Sequence, residues 1–417
     1  MDYGMLRDYV KGAMCKAMPA IDIPGANRSH QHEFQGSKPL KHLLGDQDRK
    51  SIPSKFVYLD DDEEESVVEP GTLSWYDSRR KNPNRGPEWR LYYSDNEPIR
   101  HARVGDTLTL ALMEDDSLAA IITRRDSTID TQVKWLFGIG EERIRNYYVG
   151  TNERMRVDAA ASVVLEALGI EVYVPTDAEA LLLDMLRHFP NRLPTTVEFS
   201  GYCRSTLGQV DYAHGDPDEI IYAAYQREEM LFRAFERHEA EREFPKYTDP
   251  MDVDGLLRYS MSLFQRRKSR AGKSLEHTLE AILDARGISY TAQAETENHE
   301  KPDFLFPSEE AYHDPGFPAA GLTLLGAKTT CKDRWRQVLS EAERIDTKHL
   351  VTLESAISVR QTNDMRQKGL QLVVPRPLHE TYRDDQRAWL WRVSDFLELV
   401  KERERKYFWV PRGERHG

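Results

Sequence analysis

Three residues in the last third of the chain are of the types, and stand in the surroundings, that metal-assisted phosphodiester hydrolysis needs. Asp303 follows Pro302 in a β-prone stretch flanked by prolines, KPDFLFP (301–307), and its carboxylate is expected to project from a strand. Lys328 ends the apolar run LTLLGAK (322–328), directly after the small residues Gly326 and Ala327. Glu341 comes 13 residues later, within DRWRQVLSEAERI (333–345), where Trp335, Val338, Leu339, Ala342 and Ile345 recur at helical spacing. On such a helix Glu341 falls on the flank of the apolar stripe. A flanking carboxylate beside a strand end can reach a site without being buried unpaired.

Two carboxylates and a lysine converging at a strand end suit Mg²⁺, which takes oxygen ligands, keeps several waters and needs only one or two carboxylates. The ion would polarise the scissile phosphate and lower the pKa of an attacking water, and the lysine would stabilise the developing charge. The competing reading is structural. Asp, Glu and Lys are common, and an acid–acid–lysine trio is usually a salt bridge. Two further signals lead nowhere. AGKS (271–274) has the ending of a phosphate-binding loop, but that motif requires glycine where Arg267 stands, so no nucleotide is expected. GIGEER (138–143) is too short to mark a dinucleotide fold.

The elements that must hold these side chains follow from the hydrophobic pattern. Helices are expected at 176–188, 217–242, 251–267 and 272–286, followed by strands at 301–307 and 322–330. A helix at 333–345, a strand at 349–353, a helix at 357–368, a strand at 370–375 and a helix at 385–404 complete the series. Strands alternating with helices predict an α/β domain with a partly parallel sheet. The first third differs. TLTLALM (107–113) and SLAAIIT (117–123) flank Glu114, Asp115 and Asp116 as a hairpin. KFVYL (55–59) and the aromatic stretch around Trp75, Tyr76, Trp89, Tyr92 and Tyr93 add strands, with KNPNRGPE (81–88) as a loop. The pattern turns helical at 153–169, stops at Gly169, and EVYVP (171–175) reads as a short connecting strand. The boundary is expected there, giving a mostly β domain, 1–175, and an α/β domain, 176–417.

Composition agrees with two domains, since 417 residues exceed what one core usually fills. Hydrophobic residues at 39% and charged residues at 31% suit a folded soluble protein. No run approaches 18 apolar residues and the N-terminus lacks a secretory pattern, so no membrane association is expected. Cys15, Cys203 and Cys331 are too scattered for a disulfide framework or a cysteine zinc site, which points to a reducing cytoplasm. The net charge of −12 argues against a nucleic-acid partner, but six acidic residues sit in one run, 60–65. Against it stand basic clusters at Arg79, Arg80, Lys81, Arg85 and Arg90, at 266–273, and at Lys328, Lys332, Arg334 and Arg336. Screening limits each charge's reach to about 8–10 Å, so a locally positive groove on an acidic protein still binds phosphates. Taken singly, each cluster reads equally as a solvated face.

RRKSRAGKSLEHTLE (266–280), KPDFLFPSEEAYHD (301–314) and AKTTCKDRWRQVLSEAERI (327–345) resemble the catalytic domain of EcoRII-type (type IIE) restriction endonucleases, of the PD-(D/E)XK nuclease superfamily. HLVTL (349–353) and LQLVVP (370–375) continue the resemblance. It implies a restriction-endonuclease-like fold, a mixed sheet flanked by helices, in a prokaryotic cytoplasmic enzyme. The superfamily pattern places an acid two residues before the lysine, where this chain has Gly326. In this subgroup the acid comes from the following helix, here Glu341. The resemblance therefore implies Asp303, Lys328 and Glu341 as the catalytic set, Asp303 and Glu341 as Mg²⁺ ligands, and Glu276 as an auxiliary acid.

The same resemblance implies that Lys332, Asp333 and Arg334 read CC and GG base pairs. A cation donates to guanine O6 and N7, and a carboxylate accepts from cytosine N4. The plainer alternative is that Asp333 caps the helix and the cations hold phosphates. Relatives flip the central base pair, and Tyr225 in DPDEIIYAAYQREE (216–229) is the stacking candidate. A fainter resemblance, through SHQ (29–31), WYDSR (75–79) and RGPEWR (85–90), links the N-terminal domain to the family's effector-binding domain. That domain is a DNA-binding β pseudobarrel that takes a second copy of the recognition site and covers the catalytic cleft until it does. His30, Arg85, Glu88 and Arg90 are the matching positions.

Together these readings predict a Mg²⁺-dependent type II endonuclease cutting double-stranded DNA at a CC…GG-containing site and activated by an effector copy. A homodimer is expected, because cutting both strands of a near-palindrome calls for two-fold symmetry. Two alternatives remain open: a DNA-binding regulator without cleavage, and a nuclease that requires modified bases.

Overall fold

The computed structural model describes all residues except 1–2, 25–31, 63–65, 82–83, 140–146, 151–154, 174–175, 191–193, 249–250, 332–333 and 409–417. The chain divides into two compact units, Asp2–Tyr173 with Ala356–Gln361, and Val174–Ser355 with Thr362–Gly417.

The first unit is built on eight strands: β1 Val10–Ala17, β2 Glu33–Gln35, β3 Arg49–Leu59, β4 Val67–Asp77, β5 Trp89–Tyr93, β6 Thr107–Met113, β7 Leu118–Thr123 and β8 Tyr147–Gly150. Their order is β2-β5-β4-β3-β7-β6-β1-β8, and every pairing is antiparallel except β3 with β7. The expected β6–β7 hairpin is present, and Asp116 turns it with φ +65°. Alternate residues point to one core, where Phe56 and Tyr58 of β3 meet Leu108 and Leu110 of β6 and Ala120 and Ile122 of β7. Trp75, Leu91, Tyr93 and Phe34 fill the rest. The helix expected from residue 153 begins at Ala159, because the Asp158 side chain accepts from the Ala161 N–H and caps it there. Gly169, at φ +70°, follows its end as expected. Residues 171–173 are not a strand.

The second unit carries a mixed five-stranded sheet: β9 Thr291–Ala292, β10 Phe304–Phe306, β11 Thr323–Lys328, β12 Lys348–Thr352 and β13 Leu370–Val373, in the order β13-β12-β11-β10-β9. β9, β10 and β11 pair antiparallel, whereas β11, β12 and β13 run parallel. β12 is buried throughout and β11 is buried up to Lys328, as strands covered by helices on both faces must be. Helices Thr176–His188 and Pro217–Glu243 lie where the periodicity puts them.

Three elements depart from the sequence pattern. The two helices expected at 251–267 and 272–286 are one helix, Val253–Ala285. A mid-helix glycine such as Gly272 costs only about 1 kcal/mol relative to alanine, less than the burial of Leu275, Leu279, Ile282 and Leu283 beyond it returns. The helix expected at 333–345 is only Trp335–Ser340. The helix expected at 385–404 splits into Asp384–Arg387 and Val393–Arg403, because Trp391 docks on β13 between the Leu372 carbonyl and the Val374 N–H. No helix among the described residues is long and apolar enough to cross a membrane.

Candidate active site

The backbone brings Asp303 and Lys328 together from opposite ends of two paired strands. β10 runs antiparallel to β11 with Phe304 opposite Leu325, so the residue just before β10 meets the C-terminal end of β11. Asp303 Oδ2 accepts from Lys328 Nζ at 2.7 Å and from the Ala327 N–H at 2.7 Å. Its Oδ1 accepts from Gln293 Nε2 at 3.0 Å. Both oxygens are thus engaged and the carboxylate is fixed in orientation. Asp303 is buried, while the Lys328 side chain keeps 21% of its surface exposed. Of the two, the lysine is therefore the more exposed partner.

Glu341 reaches the same place by a different route from the one its spacing suggests. The helix stops at Ser340, Glu341 is extended (φ −73°, ψ 143°), and Ala342 is left-handed at φ +51°. Tertiary contacts impose this break. Lys348 Nζ donates to the Ala342 carbonyl at 2.5 Å, and the Glu343 N–H donates to Glu297 Oε2 at 3.2 Å. Glu341 Oε2 is buried without a hydrogen-bond partner among the described residues. Burial, followed by the Asp303 charge, raises its pKa to about 7, with Lys328 pulling the other way. A cation brought beside such a carboxyl would favour its ionised form.

Glu276 joins from the long helix Val253–Ala285. Its carboxyl is also raised, first by burial and then by Asp303, and Lys273 at 3.5 Å opposes the shift in part. The acids 276, 303 and 341 and Lys328 therefore share one electrostatic neighbourhood. Among the described residues no cluster of three or more His, Cys, Asp or Glu closes around a point where a metal would be caged. A two-carboxylate Mg²⁺ site does not require one. The orphaned Glu341 oxygen and the all-oxygen donor set fit such an ion.

The sheet also explains why the second acid stands at 341. A Cβ on Gly326 would lie 2.9 Å from Val338 Cγ2 and 3.4 Å from Leu350 Cδ1, so the position two before the lysine has no room for a side chain. Three participants carried no sequence signal: Gln293, which orients Asp303; Lys348, buried behind Glu341; and Glu300, whose Oε2 is a second buried oxygen without a partner among the described residues.

The remaining expected positions are more dispersed. Lys332 and Asp333 lie outside the described residues; Arg334 is exposed, and its N–H donates to the Cys331 carbonyl at 2.8 Å just before the helix. Tyr225 is half-buried on Pro217–Glu243, its ring 6.5 Å from that of Tyr222. In the N-terminal unit His30 lies outside the described residues and Arg85 is exposed. Glu88 is held between Arg90 and Arg79, each at 2.7 Å, and Arg90 belongs to β5 rather than to a loop.

Residues 232–397 match the family model described as EcoRII C terminal. This part of the chain is similar to the EcoRII C-terminal domain. The type II restriction enzyme EcoRII of Escherichia coli is 49% identical over 146 residues, which are 35% of this chain and 36% of that protein. The type II restriction enzyme SsoII of Shigella sonnei is 25% identical over 158 residues, 36% of this chain and 50% of that protein. The chain thus spans about a third to a half of the length of these curated relatives. Among solved structures, metal-depleted Ecl18kI in complex with uncleaved, modified DNA aligns with a TM-score of 0.42 at 22% identity, over 57% of this chain and 88% of that one. Asp303, Lys328, Glu341 and Glu276 all fall inside the segment that matches the EcoRII C-terminal model.

Proposed function

We propose that the chain is a Mg²⁺-dependent type II restriction endonuclease that cuts double-stranded DNA at a short site containing CC and GG pairs. The observation that carries this reading is the meeting of Asp303, Lys328 and Glu341 at the end of β11, inside the segment that matches the EcoRII C-terminal model. A purely structural salt bridge accounts for Asp303 and Lys328 but leaves the buried Glu341 Oε2 without a hydrogen-bond partner among the described residues.

Asp303 and Glu341 would hold the Mg²⁺, which when bound lowers the pKa of an attacking water and neutralises charge on the phosphate. Lys328 places its ammonium where negative charge grows on the phosphoryl oxygens as water adds to phosphorus. The bond from phosphorus to the 3′ oxygen breaks, leaving a 5′-phosphate and a 3′-hydroxyl. Asp303 keeps the lysine aimed, and Gln293 and the Ala327 N–H keep Asp303 from turning. Glu276 adds an auxiliary acid on the far wall. Lys332, Asp333 and Arg334 would read the base pairs from the major groove, and Tyr225 would stack on a flipped base. Two copies related by a two-fold axis would cut the two strands.

The N-terminal unit would bind an effector copy of the site through His30, Arg85, Glu88 and Arg90 and hold the catalytic domain inactive until then. Plasmid DNA incubated with Mg²⁺ should give discrete fragments whose sequenced ends define the site, and none with EDTA. A gel shift without cleavage would establish a binder instead, and cleavage confined to methylated DNA a modification-dependent nuclease. Removing residues 1–175 should raise cleavage of single-site DNA; equal or lower activity would remove the inhibitory role.

A further inference from the structure

The segment between the catalytic lysine and the proposed recognition triplet is tied to the sheet at two points. β11 and β12 run parallel with Lys328 opposite Thr352. Thr352 Oγ1 donates to the Thr329 carbonyl at 3.3 Å and accepts from the Glu354 N–H at 3.1 Å. Two residues on, the buried Cys331 N–H donates to Glu354 Oε2. Glu354 is itself 8% exposed, and Cys331 is fully buried. Tyr382 Oη donates to the Glu354 carbonyl at 2.5 Å, which pins the backbone that carries the carboxylate.

Burying a carboxylate is costly unless it is held by hydrogen bonds, and one of the groups that holds Glu354 is a loop N–H. Water would have served that N–H had the loop been exposed. We infer that Glu354 is a positioning residue that fixes Cys331, and with it Arg334, relative to Lys328. The Cys331 carbonyl takes the Arg334 N–H, so anchoring one end of the turn also sets the start of the helix Trp335–Ser340. The inference rests on the proposed reading of residues 332–334.

The test compares full-length wild type with Glu354→Ala and Glu354→Gln, the latter keeping a carbonyl acceptor of the same reach. Single-turnover cleavage is measured on a duplex holding the site and on one with a single G·C pair of it changed to A·T. Exchange of the Cys331 amide is followed by mass spectrometry of the 329–335 peptide. Glu354→Ala should cut the cognate duplex about 100-fold more slowly, the cost of about 1 Å of misplacement. Its discrimination against the altered duplex should fall at least about tenfold, the scale of one misaligned base contact, and the amide should exchange faster. Glu354→Gln should restore all three. If Glu354→Ala is folded and slows both duplexes equally, the positioning role is overturned; so it is if Glu354→Gln behaves as Glu354→Ala does. Should Glu354→Ala fail to fold, Glu354→Gln must match wild type in discrimination and protection, and any loss overturns the role. Wild type that cuts neither duplex overturns the endonuclease reading instead, and exchange then decides the anchor alone, with equal protection in Glu354→Ala refuting it.

Discussion

Each unit of this protein contains a buried aspartate–lysine pair, and the two pairs resemble each other closely at first sight. In the N-terminal unit Asp130 accepts from Lys134 Nζ at 2.6 Å and from Thr123 Oγ1 at 2.7 Å, on the helix Thr128–Leu136. In the C-terminal unit Asp303 accepts from Lys328 at 2.7 Å, and its other oxygen is likewise occupied. The surroundings separate them. Lys134 is 8% exposed at its side chain against 21% for Lys328, and only Asp303 has further raised acids, 276 and 341, facing its charge. An acid–lysine pair alone is therefore scaffold. A pair with surplus acid and a more exposed lysine is equipped for a cation and a phosphate.

The sharpest way to break this contrast is to truncate both pairs. Lys328→Ala or Asp303→Ala should lower cleavage about a thousandfold or more while leaving DNA binding detectable by gel shift. Asp130→Ala should leave the rate per folded molecule unchanged and lower stability by about 3–5 kcal/mol in denaturant melts, by stranding a buried ammonium. Equal loss of cleavage in both sets would erase the distinction. Next in size, Glu341→Gln should cost about 100-fold in cleavage and move the Mg²⁺ requirement to higher concentration, measured by titrating the metal. A rate unchanged at low Mg²⁺ would return Glu341 to the scaffold.

Acid should also separate the units. His349, on β12, is buried against Trp391 and Phe396, and burial pushes its pKa down to about 4. With the folded pKa below the unfolded one, its contribution is complete above about pH 6.5 and is lost as pH falls towards about 4. Over that window the C-terminal unit should lose up to about 3 kcal/mol, at 1.36 kcal/mol per unit of pKa. Denaturant melts of wild type against His349→Gln should show the difference closing as pH drops; a constant gap would refute it. Smallest of the set, Gly326→Ala should cost about 1–3 kcal/mol by overpacking. In a Val338→Ala background the added methyl should cost about 1 kcal/mol less, a coupling that a double-mutant cycle reads directly.

Much of the scaffold was legible before the coordinates. β11 and β12 are unbroken apolar runs, and the helices at 176–188 and 217–243 carry strong periodicity, so burial dictates them locally. Asp303 and Lys328 were legible for the same reason, since they sit where those runs begin and end. The end of the helix at Ser340 was not, because it depends on Lys348 and Glu297, and Glu297 lies 46 residues from the Glu343 N–H it holds. Nor was the continuity of Val253–Ala285, where packing on both sides overrides a local glycine. Gln293 and Glu354 matter through hydrogen bonds to Asp303 and Cys331, which no periodicity encodes.

The tight seat at Gly326 limits how this site can be rebuilt. Val338, which blocks it, belongs to the helix whose end delivers Glu341. A carboxylate on the strand would thus have to take volume that Val338 of this helix fills. Passing from one layout to the other takes two coordinated exchanges, and whichever comes first produces a protein less sound than either endpoint. A designer wishing to relocate that charge would have to redraw the helix along with it.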